Sequence, residues 1–160
     1  MNNAISPSSR IWFFTSSRFL LEQEEGEVLD RMTVFLQDWK SHGSNMQAIT
    51  GMSSRRILWV ALDEEVAKAS GCGIDSLTRQ VKHIGESLAL DFFDRQAVVY
   101  RRPSSEPESL KLHEFWAHCK AGNIGDEVLV ADTTLKTWGE FEACFFRPWK
   151  QTWHGEMWNS

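Results

Sequence analysis

Apolar positions recur with the spacing of strands and helices through the first two thirds of the chain. Alternating or continuous apolar runs predict strands at 10–15, 46–52, 56–63 and 97–101. Helical spacing is found in two sets of residues, Val28, Met32, Phe35, Leu36 and Trp39, and then Ile74, Leu77, Val81, Ile84 and Leu88. The order strand, helix, strand, strand, helix, strand favours an α+β fold of the ferredoxin-like (split βαβ) kind. In that arrangement two helices cover one face of an antiparallel sheet.

The pattern breaks at residues 101–109, where two prolines and three serines predict a loop. The segments beyond it predict a helix, a short strand and a helical or irregular stretch. We therefore expect four parts, namely a disordered lead at 1–9, an α+β core at 10–102, a hinge loop at 103–109 and a C-terminal α/β extension at 110–160.

Tryptophan is the unusual component of the composition. Of the eight tryptophans, five lie in the last third of the chain. Trp149, Trp153 and Met157 recur every four residues, so a helical tail would place them along one stripe. We expect this Trp-rich extension to pack on the sheet domain and close its core. The alternative is that some of these rings face a partner protein.

Charge and hydropathy exclude several classes of protein. The 17 basic and 22 acidic residues give a formal charge of −5, which argues against a nucleic-acid coat protein. No apolar run is long enough to span a bilayer, and the N-terminus lacks the features of a signal peptide, so we expect a cytoplasmic protein. An odd number of cysteines, three, favours reduced thiols. We expect no cofactor.

A thiol between two glycines is the first candidate site. Ser70, Gly71, Cys72 and Gly73 precede the second helical pattern. A thiol at a helix N-terminus can be activated by the helix dipole, with His42 or His154 as a base brought near by the fold. A small buried cysteine in a tight turn is the favoured alternative. Ser70 or Asp75 would then cap the helix.

The same segment also predicts a binding loop. A glycine-bearing loop before a helix presents several N–H donors, which suit a small anionic ligand. The ligand-binding residues we expect are Asp63, Ser70, Gly71, Cys72, Gly73, Asp75 and Ser76. Arg95, Arg101 and Arg102 offer charge to an acidic partner, although solvated surface charge is the usual role of such residues.

Metal chemistry is not indicated by the sequence. His113 and His118 are five residues apart, which places them about 140° apart around a helix. Neither Cys-x-x-Cys nor His-Glu-x-x-His occurs. We therefore expect no metal site.

Several short segments in the same order resemble a family of uncharacterised bacterial proteins, best represented in the Bacteroidetes. They are Ser8–Trp12, Trp39–Gly43, Ala69–Ser76, Phe93–Arg95, Thr137–Glu140 and Trp153–His154. Proteins similar to this family often carry the label ABC transporter ATPase. A P-loop requires Gly-Lys followed by Ser or Thr, and the chain has no Gly-Lys dipeptide, so we reject ATPase activity.

The sequence is compatible with two classes of function. The first is a non-catalytic ligand- or protein-binding module that uses the Ser70–Ser76 loop, the aromatic C-terminal surface, or both. The second is a small cysteine-dependent enzyme with Cys72 as nucleophile at a helix N-terminus. The absence of a recognisable catalytic set favours the first.

Overall fold

The protein has a mixed α+β fold with antiparallel sheets. The structure is a computed structural model, and it describes residues 5–41 and 43–158. The chain divides into two compact units. The first consists of the chain up to Asp94 together with Lys136–Glu140, and the second consists of Arg95–Leu135 together with the chain from Phe141 onward.

The first unit is built on a three-stranded sheet with two long helices. Its elements are β1 (Arg10–Thr15), α1 (Glu22–Gln37), β2 (Lys40–Ser41), β3 (Ser44–Asn45), β4 (Gln47–Ser53), β5 (Ile57–Asp63) and α2 (Gly71–Ser87). The strand order is β1-β5-β4, and both pairings are antiparallel. β1 and β4 are therefore parallel to each other with β5 between them, as the split βαβ prediction requires.

One core lies between this sheet and its helices. Val28, Met32 and Leu36 of α1 and Leu77 and Val81 of α2 are buried in it. The predicted helical stripes are confirmed in these helices, except that α2 ends at Ser87, one residue before Leu88, and α1 ends at Gln37. Trp39 lies beyond that end, and Gly43 lies between the short paired strands β2 and β3. Both strands were missed because two residues leave no periodic signal.

The fourth predicted strand does not complete a ferredoxin-like sheet. It forms β6 (Ala97–Arg101), which pairs with β7 (Glu108–Lys111) and β8 (Leu129–Ala131) in the second unit. A short hairpin connection makes the β7 pairing local and easily formed. The unit division therefore falls before β6 and differs from the predicted boundary at 102. The predicted hinge at 103–109 contains the hairpin turn and the first two residues of β7.

The free edge of β1 is met by a later part of the chain. Arg10 forms an isolated antiparallel bridge with Thr137, and Ile11 N–H donates to Lys136 O at 3.1 Å. Trp138 N–H donates to Ser9 O at 2.8 Å. Ser9 and Ile5 are buried, so the described part of the predicted disordered lead is packed.

The second unit contains its own sheet and core. Its further elements are α3 (Leu112–Lys120), α4 (Trp138–Cys144, shared with the first unit), β9 (Phe146–Pro148), a 3₁₀ turn (Trp149–Gln151) and α5 (Trp153–Trp158). The strand order is β7-β6-β8-β9. Its core contains Val98, Tyr100, Phe115, Ile124, Val128, Val130 and Trp149. The C-terminal extension therefore has a hydrophobic core of its own, and β6 contributes residues to it.

The tail is not the continuous helix that the four-residue spacing suggested. The 3₁₀ turn and α5 are separate elements, so the expected stripe is broken. Trp149 is 2% exposed in the core of its unit, whereas Met157 is 52% exposed. Gly155 allows the tight return of the chain, because a Cβ there would lie 2.4 Å from Lys150 O.

Candidate functional site

The glycines around Cys72 form the first turn of α2 and not a loop before it. Ser70 is the N-cap residue, and its Oγ accepts the Gly73 N–H at 3.0 Å. This is the usual role of serine at a helix start, and it satisfies one of the free N–H groups of the first turn. The capping alternative for Ser70 is confirmed. The predicted binding loop is therefore regular helix from Gly71 onward.

Cys72 is exposed, so the expectation of a small buried cysteine is wrong. The reason is its place in the first turn of α2, where Gly71 and Asp75 are exposed as well. Gly73 is the residue of this turn that faces the core. Its carbonyl accepts the Trp39 Nε1–H at 2.9 Å, and a Cβ at this position would lie 3.2 Å from Met46 Cε.

Asp63 has a local structural role at the end of β5. Its Oδ1 accepts the Glu65 N–H at 3.0 Å, which caps the turn after the strand. Glu64 Oε2 accepts the Ala69 N–H at 3.2 Å and holds the segment that leads to α2. These bonds order the connection between β5 and α2.

A groove opens between α1 and α2, and its volume is about 680 Å³. Of the predicted binding residues, Ser76 lies in its wall. The full lining is Asp30, Arg31, Val34, Phe35, Asp38, Trp39, Lys40, Ser76 and Gln80. The volume is in the range of sites that bind drug-sized ligands or short segments of a partner.

A second depression continues the groove along α2. It has a volume of about 480 Å³ and shares Phe35, Ser76 and Gln80 with the first. It adds four polar residues, Arg79, Lys82, His83 and Glu86. The combined surface, which we call the α1–α2 groove, therefore carries charges of both signs beside an apolar strip.

The apolar strip has a rigid base. Trp39 is 3% exposed, and its indole is fixed to α2 through the bond to Gly73 O. The ring centroids of Trp39 and Phe35 are 6.1 Å apart, and those of Trp39 and Trp12 are 6.2 Å apart in an edge-to-face arrangement. Val34, beside them, is 63% exposed. This apolar side chain is left in solvent at the groove.

The groove was missed by sequence reasoning, although one signal for it was present. Val34 is six residues after Val28, which places it about 120° away from the buried stripe around α1. An apolar side chain so far from the core-facing stripe of α1 is expected to be exposed, where it can contact another molecule. The opposite wall could not be anticipated, because the approach of Ser76 and Gln80 depends on how the helices pack.

The structure describes one of the two histidines proposed as bases for Cys72. His42 lies outside the described residues. His154 is 4% exposed in the second unit, stacked on Trp153 with ring centroids 3.8 Å apart. Burial lowers the pKa of His154 to about 4, and the charge of Asp132 opposes that shift. His154 is thus a neutral core residue.

Asp132 is the most buried carboxylate near that histidine. It is 3% exposed, and its Oδ2 accepts from the Arg147 guanidinium at 3.1 Å. Its Oδ1 accepts the Thr134 N–H at 3.0 Å. Both oxygens of this buried side chain therefore have hydrogen-bond partners within the second unit. Across the described residues, nowhere do three or more His, Cys, Asp or Glu side chains gather in a way that could hold a metal ion.

Two of the three arginines suggested for an acidic partner, Arg101 and Arg102, have internal contacts. Arg101 lies over the Phe146 ring, with its Cζ 4.8 Å from the centroid. Arg102 forms an ion pair with Glu108 at 2.5 Å and donates to Asn123 O at 3.0 Å. Both guanidinium groups therefore interact with other residues of the second unit.

Comparisons with known proteins give no further identification. Within residues 5–41 and 43–158, no helix has both the length and the apolar character needed to cross a bilayer. No protein-family model matches the chain, and comparisons with curated proteins and with solved structures gave no match either. The resemblance to the uncharacterised bacterial family stays a prediction, and the function has to be inferred from the groove.

Proposed function

We propose that the chain is a non-catalytic protein-binding module that holds a short amphipathic segment of a partner protein in the α1–α2 groove. The observation that carries the proposal is the exposure of Val34 beside Phe35, at the mouth of a groove of about 680 Å³. An apolar side chain at 63% exposure gains free energy when a partner removes it from water.

The polar rim supports a peptide ligand. Asp30 and Asp38 lie at the same opening as Arg31 and Lys40, so both signs of charge are present. A peptide segment with one or two apolar side chains and flanking charges of both signs would match this pattern. This is the recognition of an amphipathic segment in a groove, in which apolar anchors supply affinity and rim charges set orientation.

The alternatives have less support. Ser70, one of the expected binding residues, accepts the Gly73 N–H through its Oγ, so the first turn of α2 offers fewer free donors than predicted. For a cysteine-dependent enzyme, the nucleophile Cys72 needs a base. His154 is buried in the core of the second unit, with its pKa lowered to about 4.

A selection with displayed peptides tests the proposal. Peptides selected on the full chain would be titrated into isotopically labelled protein and followed by amide and indole NMR signals. We expect shifts at Val34 and Phe35 and at the Trp39 Nε1–H. Val34→Glu should weaken binding about 10-fold or more, because it places a charge at the apolar anchor.

Val66 provides the matched control. It is 57% exposed in the connection between β5 and α2 and is absent from the groove lining. Val66→Glu adds the same charge and should leave the affinity unchanged. Equal affinity of the Val34→Glu variant and the wild type, or shifts confined to other surfaces, would contradict the proposal.

A further inference from the structure

The edges of the two larger sheets are protected unequally. β1 is covered by Lys136–Gly139, as described above. β7 carries Glu108 and Lys111, and β9 carries Arg147 and Pro148. Charged side chains and proline are the usual devices that keep an edge strand from pairing with another chain. β4, with the sequence QAITGMS, has neither a charge nor a proline over seven residues.

Within the described residues, the outer backbone edge of β4 is unpaired. In the described part of the chain, the backbone of residues 47–52 has no hydrogen-bond partner outside β5. A groove of about 480 Å³ runs beside this edge, and its lining includes Ile5 as well as residues of the strand and of α1. Thr33, Leu36 and Gln37 form its wall on α1, and none of them is charged. An added strand would therefore find free backbone groups and a neutral, partly apolar wall.

We propose that two copies of the chain pair through β4, antiparallel about a two-fold axis at Thr50. The two three-stranded sheets would then form one six-stranded sheet. Thr50 would lie opposite Thr50 of the second copy, Ile49 opposite its Gly51, and Ala48 opposite its Met52. The proposal concerns a surface separate from the α1–α2 groove and does not depend on the proposed function.

A second copy fits this edge because the strand is complementary to itself. Antiparallel pairing about a two-fold axis brings no like charges together, and cross-strand threonine pairs are favourable. The Trp59 ring lies over Gly51, since a Cβ there would be 2.3 Å from Trp59 Cζ2, so Ile49 of the second copy would meet an apolar ring at that position. The strand is about 24 Å long, so the interface is small and the dimer should dissociate on dilution.

Sedimentation velocity of the full chain over an about 100-fold range of concentration tests the pairing. We expect a monomer–dimer equilibrium, and slower amide exchange of residues 47–53 as the dimer forms. Thr50→Lys should weaken the dimer about 10-fold or more, because two lysines would lie opposite each other. Ser109→Lys is the matched control, since Ser109 is also a half-buried hydroxyl residue on an edge strand, β7. It should leave the equilibrium unchanged.

A cross-link keeps the proposal testable if Thr50→Lys impairs folding, which far-UV circular dichroism would show. In a Cys72→Ser background, Thr50→Cys should give a disulfide-linked dimer under mild oxidation, because directly opposed residues on antiparallel strands lie within disulfide distance. Ser109→Cys should not. A monomer at every concentration, an unchanged dimer in folded Thr50→Lys, or a dimer without the Thr50→Cys cross-link would each overturn the proposal.

Discussion

His154 shows how one buried residue can make stability depend on pH. Its ring lies against Trp153 and Phe115, and its Nδ1 is 2.9 Å from Thr152 Oγ1. The single O–H of Thr152 donates to Trp149 O at 2.7 Å, so Nδ1 carries the hydrogen and donates to Thr152. The neutral imidazole therefore belongs to the network that fixes the tail.

We predict that acid destabilises the second unit through His154. Burial lowers its pKa from 6.5 to about 4, so the unfolded chain binds more protons than the folded chain between those values. Stability is therefore greatest above pH 6.5 and falls as the pH falls toward 4, by about 3 kcal/mol in total. Urea unfolding at pH 7 and near pH 4.5 would measure the loss.

His154→Gln should reduce this pH dependence, because the variant side chain does not titrate. Comparison with the wild type at each pH also cancels the contribution of Glu24, whose pKa the Arg18 hydrogen bonds lower to about 2. His83→Gln is the control, since His83 is exposed. An equal pH dependence in the wild type and the His154→Gln variant would contradict the prediction.

At the scale of the element, the C-terminus of α2 shows a conflict between residue type and backbone. Ala89 has a φ of +55°, and Leu90 N–H donates to Gly85 O at 2.8 Å. Ala89 N–H donates to Glu86 O at 3.3 Å. These bonds define a Schellman motif, whose left-handed residue is usually glycine. Here alanine holds that position, while glycine stands four residues earlier.

Gly85 is required because the chain returns over it. A Cβ at Gly85 would lie 2.7 Å from Leu90 O, a backbone atom that cannot move without disturbing the motif. Leu90 and Phe92 in the returning chain are buried in the core of the first unit. Gly85 therefore allows the returning chain to pack closely against α2. The turn that returns the chain places Ala89 in a strained backbone conformation.

We predict that Ala89→Gly stabilises the protein by about 0.5–1 kcal/mol, because relief of the left-handed strain exceeds the added entropy of the unfolded chain. Gly85→Ala should destabilise it by more than about 1 kcal/mol through the clash with Leu90 O. Thermal and urea unfolding would measure both changes. A loss of stability in Ala89→Gly would show that the positive φ costs little here.

At the scale of the whole molecule, the order of the chain does not match the division into units. Lys136–Glu140 follow most of the second unit in sequence but belong to the first. Trp138 packs on Trp59 of β5 with ring centroids 5.1 Å apart. Gly139 N–H donates to Pro7 O at 2.9 Å, so the segment holds the residues before β1 as well as its edge.

We predict that a fragment of residues 1–102 fails to form a stable first unit. It lacks the segment that covers β1 and contains β6 without its partner strands. Loss of three backbone hydrogen bonds alone would cost about 2–4 kcal/mol. Attaching residues 136–140 to a 1–94 fragment through a flexible linker should raise its unfolding midpoint above that of 1–94 alone. Equal midpoints in circular dichroism would show that the segment contributes nothing.

Local sequence pattern was sufficient for the longer elements of the first unit but not for the two-residue strands β2 and β3. β1 at 10–15 was predicted without error, and β4, β5 and the core face of α2 were predicted to within a residue or so. Val81 and Ile84 needed no tertiary information, because helical periodicity places them on one face wherever the helix packs. Ser70 was one of the two residues, with Asp75, offered as a cap for the same local reason.

The sequence by itself determined an α+β chain with a split βαβ segment, an N-capped second helix and a tryptophan-rich end. The tertiary structure decided which sheet contains β6. An apolar strand can pair with any compatible sheet edge, and its sequence pattern does not indicate which edge that is. It also decided that Cys72 is exposed, that His154 is buried and that a groove forms beside Val34. Exposure, a shifted pKa and a groove depend on side chains distant in sequence, and only packing brings those together.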